Sequence, residues 1–130
     1  MGAQEDAELV RAGYDAFVKG DLRTVKSLLA PTIRWHIPGR SPISGTYEGI
    51  DAVLDFFVKL VTVSEGSFAL ELHDVAASDG HVVALVVESA ERGERELVCN
   101  DAHVWHLENG RAVEFWACPA DQYLFDEFWR

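Results

Sequence analysis

Long apolar runs, cysteine and positive charge are all scarce in this chain of 130 residues, and each scarcity removes a class of function. The longest uninterrupted apolar stretch covers residues 82–87, far short of the roughly 20 residues that a membrane-spanning helix needs. Lysine and arginine number 11 against 22 acidic residues, for a formal net charge of −11. Such a charge repels phosphate backbones and anionic lipid surfaces, so neither nucleic acid nor a membrane is expected as a partner. Cys99 and Cys118 are the only cysteines. They lie in apolar, strand-like contexts without the close spacing of a metal knuckle or the density of a disulfide scaffold. Buried free thiols are the expectation, and a cross-strand disulfide is the other option. Low-complexity tracts and internal repeats are missing as well, and 48% hydrophobic with 25% charged residues is a globular balance. One domain over residues 1–130 is expected. The first six residues lack the basic start and apolar stretch of a secretory signal, which points to a cytoplasmic protein.

What is present reads as helices first and strands later. Residues 4–19 carry Val10, Tyr14, Phe17 and Val18 at helical spacing, with Glu5, Asp6 and Glu8 at the end where the helix dipole favours negative charge. Gly20 stops this helix and Asp21 can cap a second one, whose stripe of Leu22, Val25, Leu28 and Leu29 ends at Pro31. A strand is expected over 32–37, broken by Pro38-Gly39-Arg40-Ser41-Pro42. After the glycine-bracketed segment 45–49, a third helix over 50–63 presents Ile50, Val53, Leu54, Phe57, Leu60 and Val61. Turn signals at Asp79-Gly80, Arg92-Gly93 and Asn109-Gly110 then divide the chain into strands at 68–77, 81–90, 95–107 and 111–118. Four strands joined by tight turns make an antiparallel meander, and the helices must cover one of its faces, an α+β arrangement. A short closing helix is expected over 121–129, with Asp121 as its cap.

The third strand of the meander carries the chemistry. Alternation puts Leu97, Cys99, Asp101, His103, Trp105 and Leu107 on one face, the more apolar one. A carboxylate and an imidazole on such a face must be paired, hydrogen-bonded or in contact with a cavity. They are either a site or a pair that satisfies itself inside a plain core, and both readings stay open. His106 falls on the opposite face and is expected at the surface. Strand residues three apart point to opposite faces, so His103 and His106 cannot share a zinc ion, and no metal is expected.

The order of these pieces resembles the SnoaL-like branch of the nuclear transport factor 2-like superfamily. The resemblance is carried by Tyr14-Asp15-Ala16-Phe17-Val18-Lys19-Gly20-Asp21, Leu28-Leu29-Ala30-Pro31, Trp35-His36-Ile37-Pro38-Gly39 and Gly45-Thr46-Tyr47-Glu48-Gly49. His103-Val104-Trp105-His106-Leu107, Asn109-Gly110-Arg111 and Glu114-Phe115-Trp116 complete it. It implies a cystatin-like cone: a strongly curved antiparallel sheet, packed by N-terminal helices around a small hydrophobic pocket, in homodimers. The superfamily includes polyketide cyclases, ketosteroid isomerases, limonene epoxide hydrolase, dehydratases and non-catalytic binding modules, so the fold does not fix the function.

Ketosteroid isomerase, with its Asp base and its oxyanion hole of a Tyr and a protonated Asp, is the nearest mechanistic pattern. Here the resemblance places His36 at the position of the base, His103 at that of the oxyanion acid and Tyr14 near that of the tyrosine. Strict alternation from Ile33, Trp35 and Ile37 instead turns His36 away from the pocket unless a bulge intervenes. Trp35, Tyr47, Phe57, Trp105, Phe115 and Trp116 either line a substrate pocket or fill the core. Trp129, near the chain end, is expected to make a packing or dimer contact. The implied function is cofactor-free acid/base proton transfer on a hydrophobic carbonyl or polyketide-like small molecule, by isomerisation, cyclisation or dehydration. His36 or Asp101 would take the proton, and His103 or Tyr14 would serve the enolate oxygen. An epoxide hydrolase would want an Arg beside its Asp, and Arg95 stands too far along the strand. The other expectation is a non-catalytic, dimeric ligand-binding or assembly module.

Overall fold

A computed structural model of the chain describes residues 2–130. Its elements are α1 (Ala3–Val18), α2 (Leu22–Ser27), β1 (Leu29–Ile37), β2 (Gly45–Glu48), α3 (Ile50–Val63), β3 (Ala69–Ser78), β4 (His81–Arg92), β5 (Arg95–Glu108), β6 (Arg111–Pro119) and α4 (Gln122–Trp129). One six-stranded sheet runs in the order β2-β1-β6-β5-β4-β3. The expected meander is its larger part; α1 and α4 pack on the meander, and α3 packs on β1 and β2. The α+β arrangement is therefore as read from the sequence.

The local signals act where they were placed. Asp21 caps α2 by accepting from the Thr24 N–H at 3.1 Å, and Asp121 caps α4 by accepting from the Leu124 N–H at 3.0 Å. Asn109 and Gly110 take φ of 52° and 77°, the left-handed pair that a tight hairpin turn requires. Most bounds shift by one or two residues, and two differences are larger. Helix α2 stops at Ser27 and β1 begins at Leu29, so Pro31 lies inside a strand. It is tolerated because β1 and β6 pair in parallel with a register shift between Leu29 and Arg34, a stretch where no ladder needs its missing N–H. The segment before α3 is a short edge strand, β2, paired to β1 from Arg34↔Glu48 to Ile37↔Gly45. Four residues are too few for alternation to register in the sequence.

Two apolar clusters fill the concave side. The larger gathers Ile33, Trp35, Val53, Phe57, Leu97, Phe115 and Trp129, and the smaller gathers Val10, Tyr14, Val82, Val86 and Leu107. Trp105 packs against both. Trp129, expected as a packing or dimer contact, packs: it is fully buried in the larger cluster. Cys99 is buried as expected, Cys118 is exposed, and both are free thiols. Cys118 follows the inward Ala117 and so turns to the outer face, a consequence of pleat parity. Among the described residues, no helix is long and apolar enough to cross a membrane.

The loop after β1 is fastened to α4. Arg40 N–H donates to Asp126 Oδ2 at 3.1 Å and Gln122 Nε2 donates to the Pro38 carbonyl at 3.4 Å. Between these anchors Gly39 has φ of 101°, and a Cβ on it would run into the Asp126 carboxylate and the Gln122 amide. Gly39→Ala is expected to cost about 1–3 kcal/mol from backbone conformation alone. Urea denaturation checks this, and an unchanged midpoint would show that the strap is free to rearrange.

Candidate active site

The cavity between sheet and helices encloses about 100 Å³, and its wall is almost entirely apolar. Four titratable side chains interrupt that wall: Tyr14 from α1, Glu88 from β4, and Asp101 and His103 from β5. Parity explains their direction. In β4, Val82, Ala84, Val86, Glu88 and Ala90 alternate inward, and in β5, Leu97, Cys99, Asp101 and His103 do the same. The antiparallel register sets Ala84 opposite His103 and Val86 opposite Asp101. Glu88 then stands one inward step further along its strand, beside the same pair.

His103 is the centre of the group. Its Nδ1 lies 2.5 Å from the Tyr14 hydroxyl, and its Nε2 lies 3.2 Å from Glu88 Oε1 and 3.4 Å from Asp101 Oδ2. Trp105 Nε1 donates to the Tyr14 oxygen at 3.1 Å. The Cys118 N–H donates to Asp101 Oδ1 at 2.8 Å, so that β6 holds the carboxylate in place. Asp101 Oδ2, by contrast, is buried and makes no aligned hydrogen bond.

Burial sets the proton affinities. It pulls the His103 imidazole towards its neutral form, but Tyr14 on one nitrogen and Asp101 and Glu88 on the other outweigh it. His103 is held well above the ordinary histidine range. Burial raises Glu88, with His103 opposing it and Asp101 adding to it. Burial also raises the Tyr14 phenol, His103 again opposing. In the imidazolium form both ring nitrogens donate, Nε2–H towards the carboxyl groups and Nδ1–H to Tyr14. The Tyr14 oxygen then accepts from both His103 and Trp105, which leaves its own proton free for a third partner.

Of the residues singled out in the sequence, Tyr14, Asp101 and His103 come together, and Trp35, Phe57, Trp105 and Phe115 line the cavity with them. His36, Tyr47 and Trp116 do not. His36 obeys strict alternation and faces the outer side of the sheet. There it stacks on Trp116 at 5.4 Å and contacts Glu114 Oε2 at 2.5 Å and Thr46 Oγ1 at 3.0 Å. No bulge at Trp35–Ile37 reverses its direction, since β1 stays in register with β2 there. Trp116 shares that outer face with His106, 4.9 Å away. Tyr47 packs beside Phe56 and spends its hydroxyl on the Ile43 carbonyl at 2.7 Å. The sequence reading missed Glu88 and the cavity-lining side of Trp129. Glu88 had a signal: it shares the inward parity of Val82, Ala84 and Val86.

Glu88, Asp101 and His103 offer three ligand atoms within 4.8 Å of one another, a set that could grip a divalent cation. His103 Nε2 lies at hydrogen-bond distance, 3.2 Å, from Glu88 Oε1. The raised proton affinities of His103 and Glu88 also oppose the deprotonation that metal binding demands. The cluster suits protons better than a metal.

Comparison with known proteins agrees with this architecture. Residues 10–115 match the model of a family described as the SnoaL-like domain. The solved structure of Bal32a, from a soil-derived mobile gene cassette, is 36% identical with a TM-score of 0.95, covering 98% of each chain. An NTF2-like protein of unknown function from Burkholderia pseudomallei is 29% identical with a TM-score of 0.82, covering 96% of this chain and 97% of its own. An uncharacterized protein of Mycobacterium tuberculosis is 29% identical over 133 residues, 99% of each chain.

The raised proton affinities have a definite sign in stability. A folded state that keeps protons on Glu88 and His103 after the unfolded chain has lost them is destabilised as pH rises. Stability is therefore expected to fall from about pH 4.5 upward through Glu88 and again from about pH 6.5 upward through the folded His103 value. Urea denaturation at stepped pH measures the slope, and Glu88→Gln should flatten its lower part. A wild-type slope of opposite sign would contradict the proton inventory.

Proposed function

Because the chain belongs to the SnoaL-like domain family, whose model covers residues 10–115, we propose that it is an enzyme of acid/base proton transfer on a hydrophobic carbonyl or polyketide-like substrate. One observation carries this reading. Asp101 Oδ2, a buried carboxylate oxygen without an aligned partner, belongs to a residue of the apolar cavity wall, beside the linked pair His103 and Tyr14. The substrate carbonyl oxygen accepts from the Tyr14 hydroxyl, which His103 and Trp105 orient. Asp101 Oδ2 takes the proton from the α-carbon. The C–H bond breaks, its electron pair moves onto the carbonyl oxygen, and the enolate is held by Tyr14 with the imidazolium behind it. Return of the proton from Asp101 to another carbon gives isomerisation; attack of the enolate carbon on a second carbonyl, with that proton going to the new alkoxide, gives cyclisation; and loss of a β-hydroxyl as water, carrying off that proton, gives dehydration. The balance of each step needs no oxidant. Because His36 faces the outer side, the base is assigned to Asp101 alone.

α-Proton exchange of acetophenone in heavy water, followed by NMR, tests the assignment. Asp101→Asn is expected to slow the protein-dependent exchange by about 10²–10⁴-fold. Tyr14→Phe should slow it by about 10²–10³-fold, and His36→Ala should leave it unchanged. Exchange that survives both Asp101→Asn and Tyr14→Phe would overturn the mechanism. A second reading has its own observation, since Asp101 Oδ1 also ties β5 to β6 through Cys118 N–H. A lower melting temperature in Asp101→Asn, without any exchange to lose, would identify a binding module.

We also infer that the chain forms a homodimer through the outer face of its sheet. The two longest strands present apolar residues there: Val83 and Leu85 of β4 face Val104 and Ala102 of β5, with Val98 further along. Leu85 and Val98 are 44% and 59% exposed, and a second copy of the same face is the self-complementary cover. Sedimentation velocity is expected to give the mass of two chains for the wild type and of one for Leu85→Lys/Val98→Lys. A monomeric wild type would refute the assignment.

A further inference from the structure

Among the described residues, three buried side-chain polar atoms lack a hydrogen-bond partner: Trp35 Nε1, Asp101 Oδ2 and Trp129 Nε1. All three belong to residues lining the one cavity described above. Native proteins seldom leave such atoms unpaired, and each one calls for a physical reason. Asp101 Oδ2 has one in the proton transfer. The two indoles do not, and they sit in different parts of the wall. Trp35, on β1, lies flat against Phe115 with centroids 3.8 Å apart, edge-on to Trp105 at 5.4 Å and to Phe57 at 5.5 Å. Trp129, on α4, is edge-on to Phe128 at 4.9 Å and tilted against Phe68 at 6.1 Å. The side chains they pack against, Phe57, Phe115 and Trp105 for one and Phe68 and Phe128 for the other, carry no oxygen.

An indole N–H can only donate, so the missing partner is an acceptor. We propose that the cavity takes a ligand with an apolar body and at least two acceptor oxygens, one at Tyr14 and a second against the N–H of Trp35 or Trp129. Its chemical class is a dicarbonyl, or a carbonyl with a second ketone, ester or ether oxygen across the apolar body. The position of the first oxygen rests on the acid/base reading above; the second rests on the indoles alone. The two N–H groups would then select among hydrophobic carbonyls. A ligand that buries hydrocarbon against them leaves a donor unpaired, whereas one that brings an oxygen restores the bond.

Three probes of nearly one shape separate the two oxygens: 1,4-diacetylbenzene, 4-ethylacetophenone and 1,4-diethylbenzene. Dissociation constants come from ligand-observed NMR on the intact protein. The wild type is expected to bind 1,4-diacetylbenzene about two- to tenfold tighter than 4-ethylacetophenone, the worth of one neutral hydrogen bond. That ratio should fall to about one in Trp35→Phe or in Trp129→Phe. Because it is taken within each variant, a void or a loss of stability affects both ligands and cancels. A ratio near one in the wild type, a ratio unchanged in both variants, or no binding of any probe overturns the proposal. The preference for 4-ethylacetophenone over 1,4-diethylbenzene reports on Tyr14 separately. If Tyr14→Phe leaves that preference intact, the acid/base reading fails while the indole ratio still decides the second oxygen.

Discussion

The contact between the Tyr14 hydroxyl and His103 Nδ1 holds the site together. It joins α1 to β5 across 89 positions of sequence, so the first helix and the third strand of the meander must both be in place before it forms. Neither partner tolerates burial alone. An unpaired imidazole or phenol in an apolar wall loses the hydrogen bonds that water had supplied. Paired, and with Trp105 donating to the same oxygen, the two become one rigid donor aimed into the cavity. Glu88 and Asp101 complete the arrangement on the far side of the imidazole, where their negative character makes a buried, protonated histidine tolerable.

The aromatic wall does a different job. Trp35 and Trp105 pack face-on and edge-on against Phe115, which lies 4.8 Å from the His103 imidazole centroid. These rings exclude water, which strengthens each electrostatic contact in the cluster. They also fix directions: Trp105 spends its N–H on Tyr14, while Trp35 and Trp129 keep theirs unspent.

Much of this was legible in the chain. Period-two alternation put Asp101 and His103 on the apolar face of β5, and that face is the cavity wall. The same rule applied to β4 finds Glu88, whose neighbours by parity are Val82, Ala84 and Val86. His36 shows the opposite case. Resemblance placed it in the pocket, alternation placed it outside, and the intact register of β1 with β2 sides with alternation. Tyr47 and Trp116 lie outside the cavity for related reasons, one bound to the Ile43 carbonyl and the other turned outward on β6.

By itself the sequence determined the order of the helices and of every strand but β2, the caps at Asp21 and Asp121, the hairpin at Asn109-Gly110 and the face on which the residues of β1 and β5 lie. These are local matters, set by backbone sterics and by a periodicity that a few neighbouring residues express. Which titratable groups meet was decided only by the tertiary structure. The parallel pairing of β1 with β6, the register of β4 on β5 and the approach of α1 join residues distant in the chain, and no local pattern encodes a distance between them. Proton affinity follows from that assembly, because burial and opposing charge act through space. The sequence placed a histidine and an aspartate on an inward face; the fold gave them Tyr14, Glu88 and a cavity.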